Sequence, residues 1–235
     1  MKALAVLGHE QVTARYPARP SIDRNSLVSS YTFTNLINTT IMANATTPTI
    51  YFGYGSNLWQ HQMRMRCPTS DYLGVARLDN YRWMINDRGY ANVVQVKSPS
   101  SIEPNYANVV YGLVYSLQPS DEEKLDINEG VPFAYAKEDL AVSFWAKENE
   151  DEPVNLHKPA KKRDMLVYIS RDHVTDSQPK HEYIYRMNMG IDDALKEGVP
   201  EEYVQEVMRK FIPPEHDDTL RNQAMQQALA FEDER

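Results

Sequence analysis

The chain is short of cysteine, of positive charge and of long apolar runs, and each shortage removes a class of explanation. Cys67 is the only cysteine in 235 residues, which excludes an internal disulfide and argues against a cysteine-based structural zinc site. Lysine and arginine total 25 against 33 acidic residues, and the net charge of −8 speaks against a general nucleic-acid binder. No apolar run approaches the roughly 20 residues of a membrane-spanning helix, so no membrane partner is expected. Phenylalanine is scarce beside tyrosine, 6 residues against 15. Tyrosine pairs an apolar body with a polar tip, which suits a pocket for a polar substrate as well as ordinary packing. What remains is a soluble composition, 42% hydrophobic and 25% charged, at a length that favours one domain with a sizeable core.

Residues 1–48 are rich in Ser, Thr and Asn without a sustained period and read as a poorly ordered N-terminal extension. Met1–Glu10 only faintly imitates a signal peptide, so a cytoplasmic location is expected and the triplets at Asn38 and Asn44 carry no meaning there. Met42, just ahead of the first strand, is a candidate natural start. The folded domain is expected over 49–212, followed by an acidic C-terminal tail at 213–235, helical or frayed. Short strands are predicted at 71–78, 81–86 and 91–97. Val109–Leu117, apolar on both faces, reads as a central strand. Ser120–Glu123 predicts a capping box for a short helix that Gly130 and Pro132 stop. Further strands are expected at 135–145 and 165–169, with a charged surface loop at 148–162 between them. Helices near 181–197 and 201–212 follow; in the second, Tyr203, Val204, Val207, Met208, Phe211 and Ile212 recur at helical spacing. The fold class is therefore α+β, a small mixed barrel or curved sheet with helices packed outside.

Tyr51-Phe52-Gly53-Tyr54-Gly55-Ser56-Asn57-Leu58 is the most informative stretch. Its aromatics suit a strand, its glycines allow close backbone approach or positive φ, and Ser56 and Asn57 are N-cap types for a helix over 58–66. A strand running through such a turn into a helix N-terminus is a natural anion or oxyanion site. Downstream, Leu125-Asp126-Ile127-Asn128-Glu129-Gly130-Val131-Pro132 places Glu129 at a helix end. There the negative end of the dipole and partial burial raise a carboxylate's pKa and suit it to proton transfer. Asp126, three residues earlier, is a weak sign of a carboxylate pair.

Together the two segments, about seventy residues apart, resemble the signatures of the γ-glutamylcyclotransferase family. The likeness continues through Gly74–Leu78, Tyr111–Leu117 and Met187–Gly190, over roughly 49–212. It implies the γ-glutamylcyclotransferase-like fold and a cofactor-independent enzyme with no metal. It also implies a small-molecule γ-glutamyl substrate held by Tyr51, Phe52, Gly53, Tyr54, Gly55, Ser56 and Asn57. The family's catalytic glutamate falls on Glu129, and its pocket tyrosines fall on Tyr135 and Tyr183, with Tyr168 a weaker match. The implied reaction is attack of the substrate's α-amine on its own γ-carbonyl, releasing 5-oxoproline, with Glu129 as general acid/base. A homodimer is the assembly allowed for.

The Glu129–Tyr135 interval, a residue tighter than in the housekeeping enzymes, departs from that pattern, as do the extension and the charged loop. These features are similar to cyclotransferase-like enzymes of fungal gliotoxin-type clusters, which implies trimming of γ-glutamyl groups from glutathione S-conjugates. Two rivals stand beside the resemblance: Ser56 as an acyl-transfer nucleophile, which needs a histidine base, and a non-catalytic protein that binds a γ-glutamyl metabolite. The basic stretch Lys158–Arg163 is short and reads as a solvated loop.

Overall fold

Alternating and β-branched segments form strands where the sequence predicts them, and hydrogen bonding closes five of these on one another. The computed structural model describes residues 47–97, 105–215 and 218–229. The expected N-terminal extension, with Met42 and both Asn-x-Thr triplets, lies outside the described residues up to residue 46. The strands are β1 (Thr49–Gly53), β2 (Asp71–Asp79), β3 (Tyr81–Ile85), β4 (Ala91–Gln95), β5 (Val109–Leu117), β6 (Ala136–Ala146) and β7 (Lys161–Ile169). The α-helices are α1 (Gln60–Arg66), α2 (Pro119–Asn128), α3 (His181–Lys196), α4 (Glu201–Glu206) and α5 (Arg221–Leu229).

The barrel runs β1–β5–β2–β6–β7 and closes through the parallel pairing of β7 with β1 at Leu166 and Tyr51; its other neighbours are antiparallel. Closure leaves these five strands no free edge. β5 is buried along all nine residues, as a strand apolar on both faces must be. β3 and β4 form a separate two-stranded ribbon. In β2 a bulge shifts the register between Tyr72 and Gly74. Gly74 has φ +143°, and a Cβ there would sit 2.2 Å from the Trp145 carbonyl oxygen, so only glycine fits. This is an α+β barrel with helices outside.

Several local expectations change in the structure. The predicted capping box does not form: α2 starts earlier, with Gln118 at the N-cap and Pro119 in the first turn. Asp121, in the first turn of α2, is buried and accepts from the Thr69 amide (3.1 Å) and hydroxyl (2.6 Å). β7 starts at Lys161, ahead of its apolar part, because the exposed residues Lys161–Asp164 continue the ladder with β6. Within the basic stretch Lys158 pairs with Glu148 and Lys162 with Asp79. The amphipathic segment at 201–212 breaks after Glu206 into a 3-10 turn at Met208–Lys210, yet Tyr203, Val204, Val207, Met208 and Ile212 are all buried. Of the two forms left open for the acidic tail, the helix is present: the segment contains α5, whose Ala224 and Ala228 pack with Trp59 and Tyr185.

Candidate active site

The turn after β1 does not continue straight into a capped helix. Ser56–Leu58 makes one 3-10 turn, Trp59 is the N-cap of α1, and neither Ser56 nor Asn57 caps it. The amide of Gln60, at the start of α1, donates to Asp193 Oδ2 (3.0 Å). The anion at this helix N-terminus is thus the protein's own carboxylate from α3.

Ser56 and Asn57 turn their side chains instead into a buried polar network. Asn57 Nδ2 donates to Tyr51 Oη and to Glu129 Oε1, both at 2.9 Å. Its Oδ1 accepts from Gln62 Nε2 (2.8 Å) and Arg66 Nη1 (3.2 Å). All the hydrogen-bonding capacity of the amide is used, and an aspartate in its place would lose both donors. Ser56 Oγ accepts from Gln62 Nε2 (3.0 Å) and Arg186 Nη1 (3.1 Å). Arg186 is itself forked onto Glu182, one turn earlier in α3, at 2.8 and 2.9 Å.

Above this network lies a small cavity that opens to solvent. Of the residues predicted for the site, Tyr51, Tyr54, Gly55, Ser56, Asn57, Glu129, Tyr135 and Tyr183 line it together. Phe52 and Gly53 do not line it. Phe52 is fully buried on the other face of β1, as strand alternation dictates, and Gly53 gives room to the Tyr51 ring. Tyr168 reaches the cavity wall, while its hydroxyl donates to Asp126 Oδ1 (2.6 Å). Asp126 also takes Lys137 Nζ (3.0 Å) and stays outside the cavity, so it forms no carboxylate pair with Glu129.

Tyr183 has a distinct role. Its hydroxyl oxygen accepts from the amides of Ser56 and Ala91, both at 3.2 Å. With both lone pairs occupied, its O–H remains to donate toward the cavity. The Ser56 amide, expected to face a substrate, is therefore already held, and the phenol presents the hydrogen in its stead. Gly55 is glycine for this contact: a Cβ there would sit 2.9 Å from Tyr183 Oη. Tyr183→Phe leaves two amides without their acceptor. It is expected to cost about 1–3 kcal/mol in urea unfolding and to raise the apparent Kd or KM of any cavity ligand.

The fold has counterparts among known proteins. Residues 109–207 match the AIG2-like family model. The chain is 30% identical over 83 residues to the gamma-glutamylcyclotransferase of Homo sapiens, a match covering 35% of this chain and 44% of that protein. The chain thus spans less than half the length of this relative. To the gamma-glutamylcyclotransferase of Mus musculus it is 25% identical over 176 residues, 71% of this chain and 80% of that protein. A solved structure of a gamma-glutamyl cyclotransferase superposes with a TM-score of 0.54 at 22% identity, covering 76% of this chain and 98% of the other. At that identity the likeness establishes the fold.

Glu129 is the C-cap of α2, half-buried, and the single carboxylate among the described cavity residues. Burial raises its pKa; Arg66, the Asn57 hydrogen bond, Arg186 and Arg88 pull the other way without cancelling it. Burial also holds the Tyr51, Tyr54 and Tyr135 phenols well above their ordinary range, and pushes Tyr183 up to about 12. Near neutrality these phenols are neutral donors. Cys67, buried at the end of α1, is pushed up to about 12 by burial and by Asp121, as a packing residue would be. Arg66, Tyr90, Ala91, Asn128 and Arg186 line the cavity without having been predicted. None of the described histidines lines it. Among the described residues there is no cluster of His, Cys, Asp and Glu that could hold a metal ion, and no helix long and apolar enough to cross a membrane.

Proposed function

We propose that the protein is a γ-glutamylcyclotransferase, and the observation that carries this is Glu129, held by Asn57 in a tyrosine-lined cavity. In this reading the substrate's α-amine nitrogen bonds to its own γ-carbonyl carbon and the bond to the attached amine breaks. The products are 5-oxoproline and the free amine. Glu129 takes a proton from the α-ammonium and returns it to the leaving nitrogen, a role worth roughly 10²–10⁴ in rate. The Tyr183 hydroxyl is the donor for the carboxylate or the oxyanion. Holding the γ-glutamyl chain folded supplies further acceleration, up to about 7–11 kcal/mol in the best intramolecular cases.

Ser56 as a nucleophile is poorly supported, since its Oγ is engaged by Gln62 and Arg186. A second reading, trimming of glutathione S-conjugates, draws support from two exposed apolar residues close to Glu129 in the chain. Ile127 and Phe133, flanking Glu129 on α2 and on the loop to Tyr135, are 80% and 92% exposed. Large apolar side chains so exposed close in the chain to Glu129 suit an apolar leaving group. The test is 5-oxoproline release, followed by mass spectrometry, from γ-glutamyl dipeptides, glutathione and a glutathione S-conjugate. Release from the dipeptides is expected, and preference for the conjugate selects the second reading. Binding of 5-oxoproline with no release from any of them would leave a metabolite-binding protein instead.

A further inference from the structure

We infer that α5 is a positioning element of the site: carbonyls of its last turn clamp the Arg66 guanidinium, which fixes Asn57 and through it Glu129. That Glu129 is the working group rests on the proposed function; the clamp is read from geometry alone.

Arg66, the last residue of α1, is 4% exposed. Its Nε donates to the Ala228 carbonyl (2.7 Å), its Nη2 to the Gln227 carbonyl (2.9 Å) and its Nη1 to Asn57 Oδ1 (3.2 Å). Two needs are met at once. Carbonyls toward the C-terminal end of a helix carry the negative end of its dipole. A buried guanidinium needs acceptors for a rigid fork of donors. α5 satisfies it with main-chain oxygens that cannot ionise, so the full positive charge stays directed at Asn57 and Glu129.

The rest of α5 is built to dock and contributes little to the barrel. Ala224 and Ala228 are fully buried against Trp59 and Tyr185, with Met65 and Met189 packed alongside, in a cluster separate from the main core. Larger side chains at these two positions would lift the helix while leaving the barrel packed.

The charged and titratable groups acting on Glu129 are Arg66 from α1, Arg186 from α3 and Arg88 from the β3–β4 turn. The phenols of Tyr51, Tyr54, Tyr135, Tyr168 and Tyr183 and the thiol of Cys67 are coupled to it as well. Arg66 is the strongest influence lowering its pKa.

The experiment titrates the Glu129 carboxyl by NMR in full-length protein labelled with ¹³C at the glutamate side chain, with Glu129→Gln supplying the assignment. The variants are Arg66→Met, Arg66→Lys, the neutral pair Ala224→Gln/Ala228→Gln, and that pair combined with Arg66→Met. Amide exchange over 221–229 reports undocking of α5, and exchange in β5 reports that the barrel is intact. The Glu129 midpoint is expected to rise by about one pH unit in Arg66→Met and in the alanine pair. It should rise no further when the two are combined, because α5 acts through Arg66. Arg66→Lys should recover part of the shift. An undocked α5 with an unmoved Glu129 midpoint would overturn the inference, and so would a combined shift equal to the sum of the two. The titration needs no turnover, so a protein inactive on every γ-glutamyl substrate but showing the coupled shift would keep the clamp and lose the proposed activity.

Discussion

On the proposed function, Glu129→Gln is expected to lower kcat/KM for 5-oxoproline release by about 10²–10⁴, the range in which a positioned proton carrier works. The change is nearly isosteric. The new amide oxygen can still accept from Asn57 Nδ2, so the turn, Tyr51 and Arg66 keep their places. What disappears is the ability to take a proton and return it, and KM should move far less than kcat. The pH dependence gives an independent reading. Glu129 must be ionised to act as a base, so activity is full above its pKa and falls as the pH drops through it. Because burial raises that pKa, the acidic limb lies above the ordinary carboxylate range, and the residual rate of the variant should lack it. Stability shifts the other way. A carboxylate whose folded pKa exceeds its unfolded pKa contributes stability below the unfolded value and loses it as the pH rises through the folded value. Glutamine cannot ionise, so urea titrations should show the variant gaining on wild type as the pH rises. A variant that kept its rate would end the role assigned to Glu129.

How far the sequence discloses all this depends on the kind of residue. The strands are legible because alternation and β-branching report a pleated, half-buried surface, and β5 declares its central place by being apolar on both faces. The cavity's tyrosines and Glu129 are legible through the resemblance of two short segments. The supporting network is not. Gln62, Arg66, Glu182 and Arg186 are polar residues on helices, which periodicity assigns to solvent, yet all four are buried. Glu182 and Arg186 at i, i+4 look like a surface pair, and only the crossing of α3 over the Ser56–Leu58 turn buries them. A signal was present at Gly190: a Cβ there would lie 2.9 Å from Leu58 Cβ, the mark of a helix lying close on that turn. α5 is hidden for a different reason. It is short, mostly polar and docked by two alanines, the weakest apolar signal a helix can carry. Its importance lies in main-chain carbonyls, which no residue type encodes.

Arg186→Met is the substitution with the largest expected effect on folding, a loss of about 3–5 kcal/mol in urea unfolding. The guanidinium is 1% exposed and forked onto Glu182, itself 5% exposed, so its removal strands a buried carboxylate. It also takes a donor from Ser56 Oγ at 3.1 Å and loosens the turn that carries Asn57. The two consequences separate in a cycle. Glu182→Leu/Arg186→Met removes the stranded charge along with its partner, and buried pairs replaced together by apolar residues are often close to neutral in stability. The double variant should therefore recover most of the unfolding free energy. It should not recover kcat/KM, because Ser56 and Gln62 still lack the guanidinium that orients them. Recovery of both would make the Glu182–Arg186 pair a packing element only. Recovery of stability without activity would show that the buried charge is kept for the geometry of the turn, at a cost in desolvation that two apolar side chains would not incur.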